Sequence, residues 1–258
     1  MENPIGIFDS GLGGLTVYKE IRSVLPNENI IYFGDTKRAP YGEKSEEEVK
    51  QFSYEIVDFL ITKNVKIIVI ACNTVCAVVY DYLKEKYSVP FINIIYPAVN
   101  EAVNNAKIGI GVIGTSATIR SGAYNNAIKE KNKSIKVFSN SCPLLVPLIE
   151  EGFIEEGIIA PIAKKYLANV LTSIDTLVLG CTHYPFVLST LKNIVGDVNI
   201  IDPAISTSLM VKQYLIENKL EKKEGTGKDT FYTSGETSKF ETLYNKFTNK
   251  EIKVLGLH

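Results

Sequence analysis

Three stretches of this chain recur in the same order at nearly constant offset. Ile5-Gly6-Ile7-Phe8-Asp9-Ser10 is echoed by Ile110-Gly111-Val112-Ile113-Gly114-Thr115. Ile68-Val69-Ile70-Ala71-Cys72-Asn73-Thr74 is echoed by Leu177-Val178-Leu179-Gly180-Cys181-Thr182-His183, and Ile94-Ile95-Tyr96-Pro97-Ala98 by Ile200-Ile201-Asp202-Pro203-Ala204. Chance similarity between two parallel-sheet units gives one such match; three in register point to a duplicated unit. Within each unit short β-branched runs alternate with helical patterns, which predicts parallel sheets covered by helices. Strands are expected over residues 4–8, 29–33 and 66–71, and helices over 13–25, 45–62 and after 73. The second helix opens on the capping box Ser45-Glu46-Glu47-Glu48. The expected architecture is two pseudo-symmetric α/β domains with mainly parallel sheets. Residues 1–96 and 205–258 would form a discontinuous first domain and residues 97–204 the second. The polar stretch 221–228 reads as an exposed loop.

The repeat places Cys72 and Cys181 at the same spot, the end of a buried strand just before a helix. Sites in open α/β sheets form beyond the carboxyl ends of strands. Two such units facing each other point two thiols into one cleft. Opposed proton-transfer groups suit a reaction that takes a proton from one face of a carbon and returns one to the other face. A thiol, with a reference pKa of about 8.5, is adjustable in either direction, and a following helix start favours the thiolate. His183, two residues after Cys181, is placed to exchange a proton with it, and Asp9 ends the strand expected beside Cys72.

Composition narrows the alternatives. The chain has 258 residues, 28 Lys and Arg against 29 Asp and Glu, and a net charge of −1. That balance argues against a nucleic-acid partner. No apolar run is long enough to span a bilayer and no targeting segment is visible, so a cytoplasmic location is expected. The four cysteines are expected as reduced thiols, with Cys76 and Cys142 as small core residues. Zinc requires about four ligands in close pairs; Cys72, Cys76, Cys181 and His183 lack that spacing, and the only other histidine is the terminal His258. No metal is expected. Asp9-Ser10-Gly11-Leu12-Gly13-Gly14 lacks both the dinucleotide fingerprint and the Lys-Ser/Thr of a P-loop. Ser10 and His183 lack a nucleophile elbow. Asp9 also reads as a helix cap, and Glu150 as a solvent-facing acid beside Glu151.

Taken together, the stretches Asp9 to Val17, Asp35 to Gly42, Ala71-Cys72-Asn73-Thr74, Gly114 to Thr118 and Gly180-Cys181-Thr182-His183-Tyr184-Pro185 resemble the glutamate racemases of the aspartate/glutamate racemase superfamily. They keep the family's order from the start of the chain to beyond position 185. The resemblance implies a cofactor-independent interconversion of L- and D-glutamate, which supplies D-glutamate for peptidoglycan and so for cell-wall biogenesis and cell shape. It implies Cys72 and Cys181 as alternating acid and base, the first paired with the D-enantiomer and the second with the L-enantiomer. Asp9 would assist Cys72, His183 would assist Cys181, and Glu150 would be a further auxiliary acid. Asp9-Ser10, Tyr41-Gly42, Asn73-Thr74 and Thr182-His183, with Thr115 and Thr118, match substrate contacts. The family forms dimers, so a homodimer is expected. Pro203 departs from the family, where a serine is common; it reads as a helix start. Some relatives carry an N-terminal extension linked to activation by a cell-wall precursor. With the first strand beginning near Pro4, no such activation is expected. Aspartate racemase is the alternative, and an acidic residue usually stands in that group where this chain has His183. A catalytically inactive binding or regulatory protein on the same scaffold is the reading from another class, and loss of a cysteine would mark it.

Overall fold

A computed structural model describes residues 2–248 and 251–256 of the chain; His258 lies outside them. The first repeat runs β1 (Ile5–Asp9), α1 (Leu15–Val24), β2 (Ile30–Gly34), α2 (Glu46–Thr62), β3 (Ile67–Ile70), α3 (Asn73–Val78), α4 (Tyr80–Lys86), β4 (Phe91–Asn93) and α5 (Ile95–Asn105). The second runs β5 (Gly109–Gly114), α6 (Ser116–Ser121), α7 (Ala123–Lys131), β6 (Lys136–Ser141), α8 (Leu145–Glu150), α9 (Glu156–Leu167), β7 (Thr176–Gly180), α10 (Leu188–Val195) and β8 (Asn199–Ile201). Helix α11 (Pro203–Glu217), β9 (Asp229–Thr233), α12 (Thr237–Thr248) and β10 (Val254–Gly256) come after them.

One sheet has the order β10-β9-β2-β1-β3-β4 and the other β6-β5-β7-β8, with every described pairing parallel. The core of the first, β2-β1-β3-β4, is the order of the second. The central strands β1, β3, β5 and β7 are buried along their whole length. That is why they read as continuous apolar runs rather than alternating ones. Helix α2 carries the expected capping box and buries the stripe Val49, Ser53, Ile56, Val57 and Leu60 at helical spacing. Full burial of each such aliphatic side chain contributes roughly 1.5–3 kcal/mol.

Register confirms two of the repeat's landmarks and corrects the third. Ile5 pairs with Ile67 and Ile110 with Thr176, as the first two matches require. Phe91 pairs with Ile68, whereas Ile200 pairs with Leu177. The equivalent of Ile200 is therefore Phe91, three residues before Ile94. Asn93 and Asp202 are then equivalent, and they act alike: Asn93 Oδ1 accepts from Ile95 N at 2.7 Å and Asp202 Oδ1 from Ala204 N at 3.0 Å. Pro97 and Pro203 matched by coincidence. Pro203 opens α11, as its residue type suggested. The stretch after α11 is mostly exposed between residues 221 and 228.

Candidate active site

The first half of the site is set by β1 lying next to β3. Phe8 pairs with Ile70, so Asp9-Ser10 and Ala71-Cys72 leave the sheet side by side. Cys72 is the N-cap of α3 and is 4% exposed. Its Sγ lies 3.6 Å from Ser10 Oγ. Burial pushes the thiol up to about 12, and the charge of Asp9 adds to the rise; the Val75 N–H and Ser10 pull it back by less. The helix start is present as expected, but burial outweighs it. Asp9 is fully buried, and that burial raises its own pKa against the opposing pull of His183 and the loop N–H groups. Its hydrogen bonds come from Gly11 N at 3.0 Å and Thr182 Oγ1 at 3.2 Å rather than from Cys72. It ties the two halves of the site together.

The second half repeats the arrangement on β5 and β7. Gly114 pairs with Gly180, which sets Thr115 beside Cys181. Beyond Cys181 the chain makes a 3-10 turn over Tyr184–Val187, and the α-helix starts only at Leu188. The turn brings His183 Nδ1 to 3.8 Å from Cys181 Sγ and Nε2 to 2.9 Å from Glu150 Oε1. Burial opposes the imidazolium, but the hydrogen bonds and charges of Cys181 and Glu150 outweigh it and hold His183 well above its ordinary range. Glu150 is desolvated too, yet the bond to His183, its charge and that of Lys239 keep the carboxyl below its ordinary range. Glu150 closes α8 with its side chain 20% exposed, so the solvent-facing reading does not hold.

Three hydroxyls from both halves form one cluster. Thr74 Oγ1 lies 2.9 Å from Thr115 Oγ1 and 3.4 Å from Thr118 Oγ1, and the last two are 3.0 Å apart. Tyr41 is held by the buried carboxylate of Asp35, which also receives Arg38 Nε at 2.6 Å. Gly42 lets the loop approach Thr115 so closely that a Cβ there would lie 2.5 Å from the threonine Cβ.

Ser10, Tyr41, Gly42, Cys72, Asn73, Thr74, Thr115, Cys181, Thr182 and His183 line one cavity of about 20 Å3, room for about one water. Asp9, Thr118 and Glu150 stand behind that lining. Pro40 and Val146 also line it; neither carried a chemical signal in the sequence. A cavity of about 570 Å3 elsewhere meets Cys76 alone of the four thiols, so it offers no opposed pair. Cys76 and Cys142 are buried, and burial raises both thiols. Among the described residues, no three His, Cys, Asp or Glu side chains are grouped to hold a metal ion.

The sequence profile of the Asp/Glu/Hydantoin racemase family matches residues 5–208. The glutamate racemase of Thermoanaerobacter sp. (strain X514) is 46% identical over 240 residues, 92% of this chain and 90% of that protein. The crystal structure of a glutamate racemase isoform from Bacillus anthracis superposes with a TM-score of 0.96 at 38% identity, covering 99% of this chain and 97% of that one. The glutamate racemase of Francisella tularensis subsp. tularensis, solved in complex with D-glutamate, gives 0.94 at 41% identity over 100% and 98% of the two chains.

Proposed function

We propose that this chain, which belongs to the Asp/Glu/Hydantoin racemase family, interconverts L- and D-glutamate without a cofactor by proton transfer between Cα and two cysteines. One observation carries the reading: two thiols from equivalent strand ends, Cys72 after β3 and Cys181 after β7, line a single cavity. The D-glutamate complex of the Francisella relative supports the substrate.

In the D-to-L direction, the Cys72 thiolate takes the Cα proton and the Cys181 thiol delivers its own to the opposite face. The reverse reaction starts from the opposite protonation states. The raised Cys72 thiol has two consequences. Its thiolate is scarce at neutral pH, but a thiolate whose acid lies near 12 is a stronger base toward a weakly acidic C–H bond. His183, anchored by Glu150, is placed to exchange a proton with Cys181. Acid–base transfer supplies about 10²–10⁴-fold; fixed donors in a closed, dry cleft supply more. We assign the substrate carboxylates to the Ser10, Asn73, Thr74, Thr115 and Thr182 donors, with Thr118 and Asp9 acting from behind them, Thr118 through Thr74 and Thr115 and Asp9 through Thr182. Tyr41, Gly42 and His183 complete the wall.

The division into residues 1–96 with 205–258 and 97–204 belongs to the same proposal and is supported by sheet membership: β9 and β10 join the first sheet. A cytoplasmic homodimer, supplying D-glutamate for peptidoglycan, completes it. No described helix is long and apolar enough to cross a membrane.

The test is proton–deuterium exchange at Cα in D₂O, followed by NMR from each enantiomer, for wild type, Cys72→Ser and Cys181→Ser. Wild type should racemise without added cofactor, and each variant should lose racemisation. Residual exchange from one enantiomer then shows which thiol faces it. Wild type that leaves glutamate unexchanged, or turns over aspartate faster, sinks the substrate assignment.

A further inference from the structure

The Asn73 carboxamide is held from one side only. Asn73 is the first residue of α3, 3% exposed, and lines the cavity between the thiols. Its Oδ1 accepts a hydrogen bond from the Tyr124 hydroxyl at 2.6 Å. Its Nδ2 is buried and has no partner. Leaving such a donor unpaired is unfavourable, and the loss is recovered when an acceptor arrives. The described cavity that Asn73 lines is the cleft, so the missing acceptor belongs to a bound ligand.

Tyr124 comes from α7, in the opposite half of the molecule, and is 2% exposed. Its ring packs against the strand that leads into Cys181: a Cβ added to Gly180 would lie 3.2 Å from Tyr124 Cε2. One side chain therefore touches the residue after Cys72 and the residue before Cys181. Burial raises its hydroxyl well above the ordinary range, so it stays protonated and donates.

We propose that Tyr124 is a positioning residue that fixes the Asn73 carboxamide with Nδ2 presented to a carboxylate of the substrate. This rests on the glutamate reading. The alternative amide orientation would turn Oδ1 toward the carboxylate and repel it. Because the bond to a carboxylate forms in ground and transition states alike, its loss appears in KM rather than kcat.

The experiment is a double-mutant cycle on the full chain with D- and L-glutamate. Tyr124→Phe keeps the buried ring and should raise KM about fivefold for both enantiomers, with kcat within about threefold and the pH profile unmoved. In an Asn73→Ala background the same change should alter KM by less than about twofold, because the group Tyr124 acts through is gone. Asn73→Asp keeps the acceptor for Tyr124 but replaces the donor with a carboxylate oxygen, so it should bind glutamate more weakly than Asn73→Ala. That comparison holds even if Tyr124→Phe does not fold. An unchanged KM in Tyr124→Phe, the same factor in both backgrounds, or Asn73→Asp binding no worse than Asn73→Ala overturns the proposal. If wild type neither binds nor racemises glutamate, the functional reading fails and this inference with it; if wild type racemises and the cycle is additive, only the role of Tyr124 falls.

Discussion

Glu150 and His183 show how two buried groups set each other's charge. Each is desolvated, and each is held in its ionised form by the other across 2.9 Å. Glu150→Gln keeps an acceptor for Nε2 and removes only the charge. Removing that opposite charge should lower the His183 pKa, as read in an NMR titration of its imidazole. The effect on stability has a definite sign. His183 has a folded pKa above its unfolded 6.5, so its contribution is fully present below 6.5 and is lost as pH rises through the folded value. Glu150 has a folded pKa below 4.5, so its contribution is present above 4.5 and is lost as pH falls through the folded value. The pair is therefore worth most between those two ordinary values. Urea unfolding should find Glu150→Gln most destabilising near pH 5.5 and progressively less so above 6.5. Equal destabilisation at pH 5.5 and pH 9 would mean the charge pairing is not what the carboxylate contributes.

At the scale of elements, the site depends on how closely the loops approach one another. A Cβ on Gly13 would lie 2.3 Å from Thr182 Oγ1 and 2.5 Å from His183 Nδ1, so the turn into α1 and the turn after Cys181 meet backbone against side chain. Gly13→Ala should lower kcat/KM for glutamate at least tenfold by displacing His183 from Cys181. Gly157→Ala, in α9 with nothing near its Cβ, should instead stabilise the fold by about 0.5–1 kcal/mol, read by urea unfolding, with activity unchanged. Activity in Gly13→Ala equal to wild type would remove the close approach from the argument. Ser45→Ala should cost about 1 kcal/mol, because the capping box forms in both directions; an unchanged urea midpoint would deny it that role. That box was legible in the sequence because four adjacent residues specify it. The strand-end cysteines were legible for a related reason: buried central strands announce themselves as apolar runs, and the residue after the run falls at the sheet's carboxyl edge. The third repeat landmark was misaligned because strand register depends on cross-strand partners, which a proline match does not report. The join of β9 to β2 was not visible in the residues of β9, Asp229–Thr233, which are mostly polar and partly exposed. Tyr124 and Val146 reach the site only through packing between distant elements, and no local pattern marks such a residue.

The whole molecule poses a question of access. The cavity holds about 20 Å3, and glutamate has roughly ten non-hydrogen atoms, many times one water's share of space. The cleft must open before substrate enters. The chain crosses between the two sheets at α5 and returns through α11, and those two helices pack together and against α1 and α7. This face can serve as the hinge while the loops that carry Gly13, Gly42 and Thr182 separate. Two native thiols report such opening. Cys72 and Cys142 are 4% and 1% exposed, and burial pushes both up to about 12. In a static molecule they would be alkylated at similarly slow rates, since neither access nor thiolate fraction separates them. With an opening cleft, Cys72 should react with iodoacetamide faster than Cys142, as read by mass mapping of the labelled peptides. Saturating D-glutamate should then slow Cys72 by a larger factor than Cys142, because ligand holds the cleft shut while general stabilisation protects both alike. Equal rates for the two thiols, or equal protection, would mean that no opening specific to the cleft exposes Cys72, and the hinged movement of the two halves would fall with it.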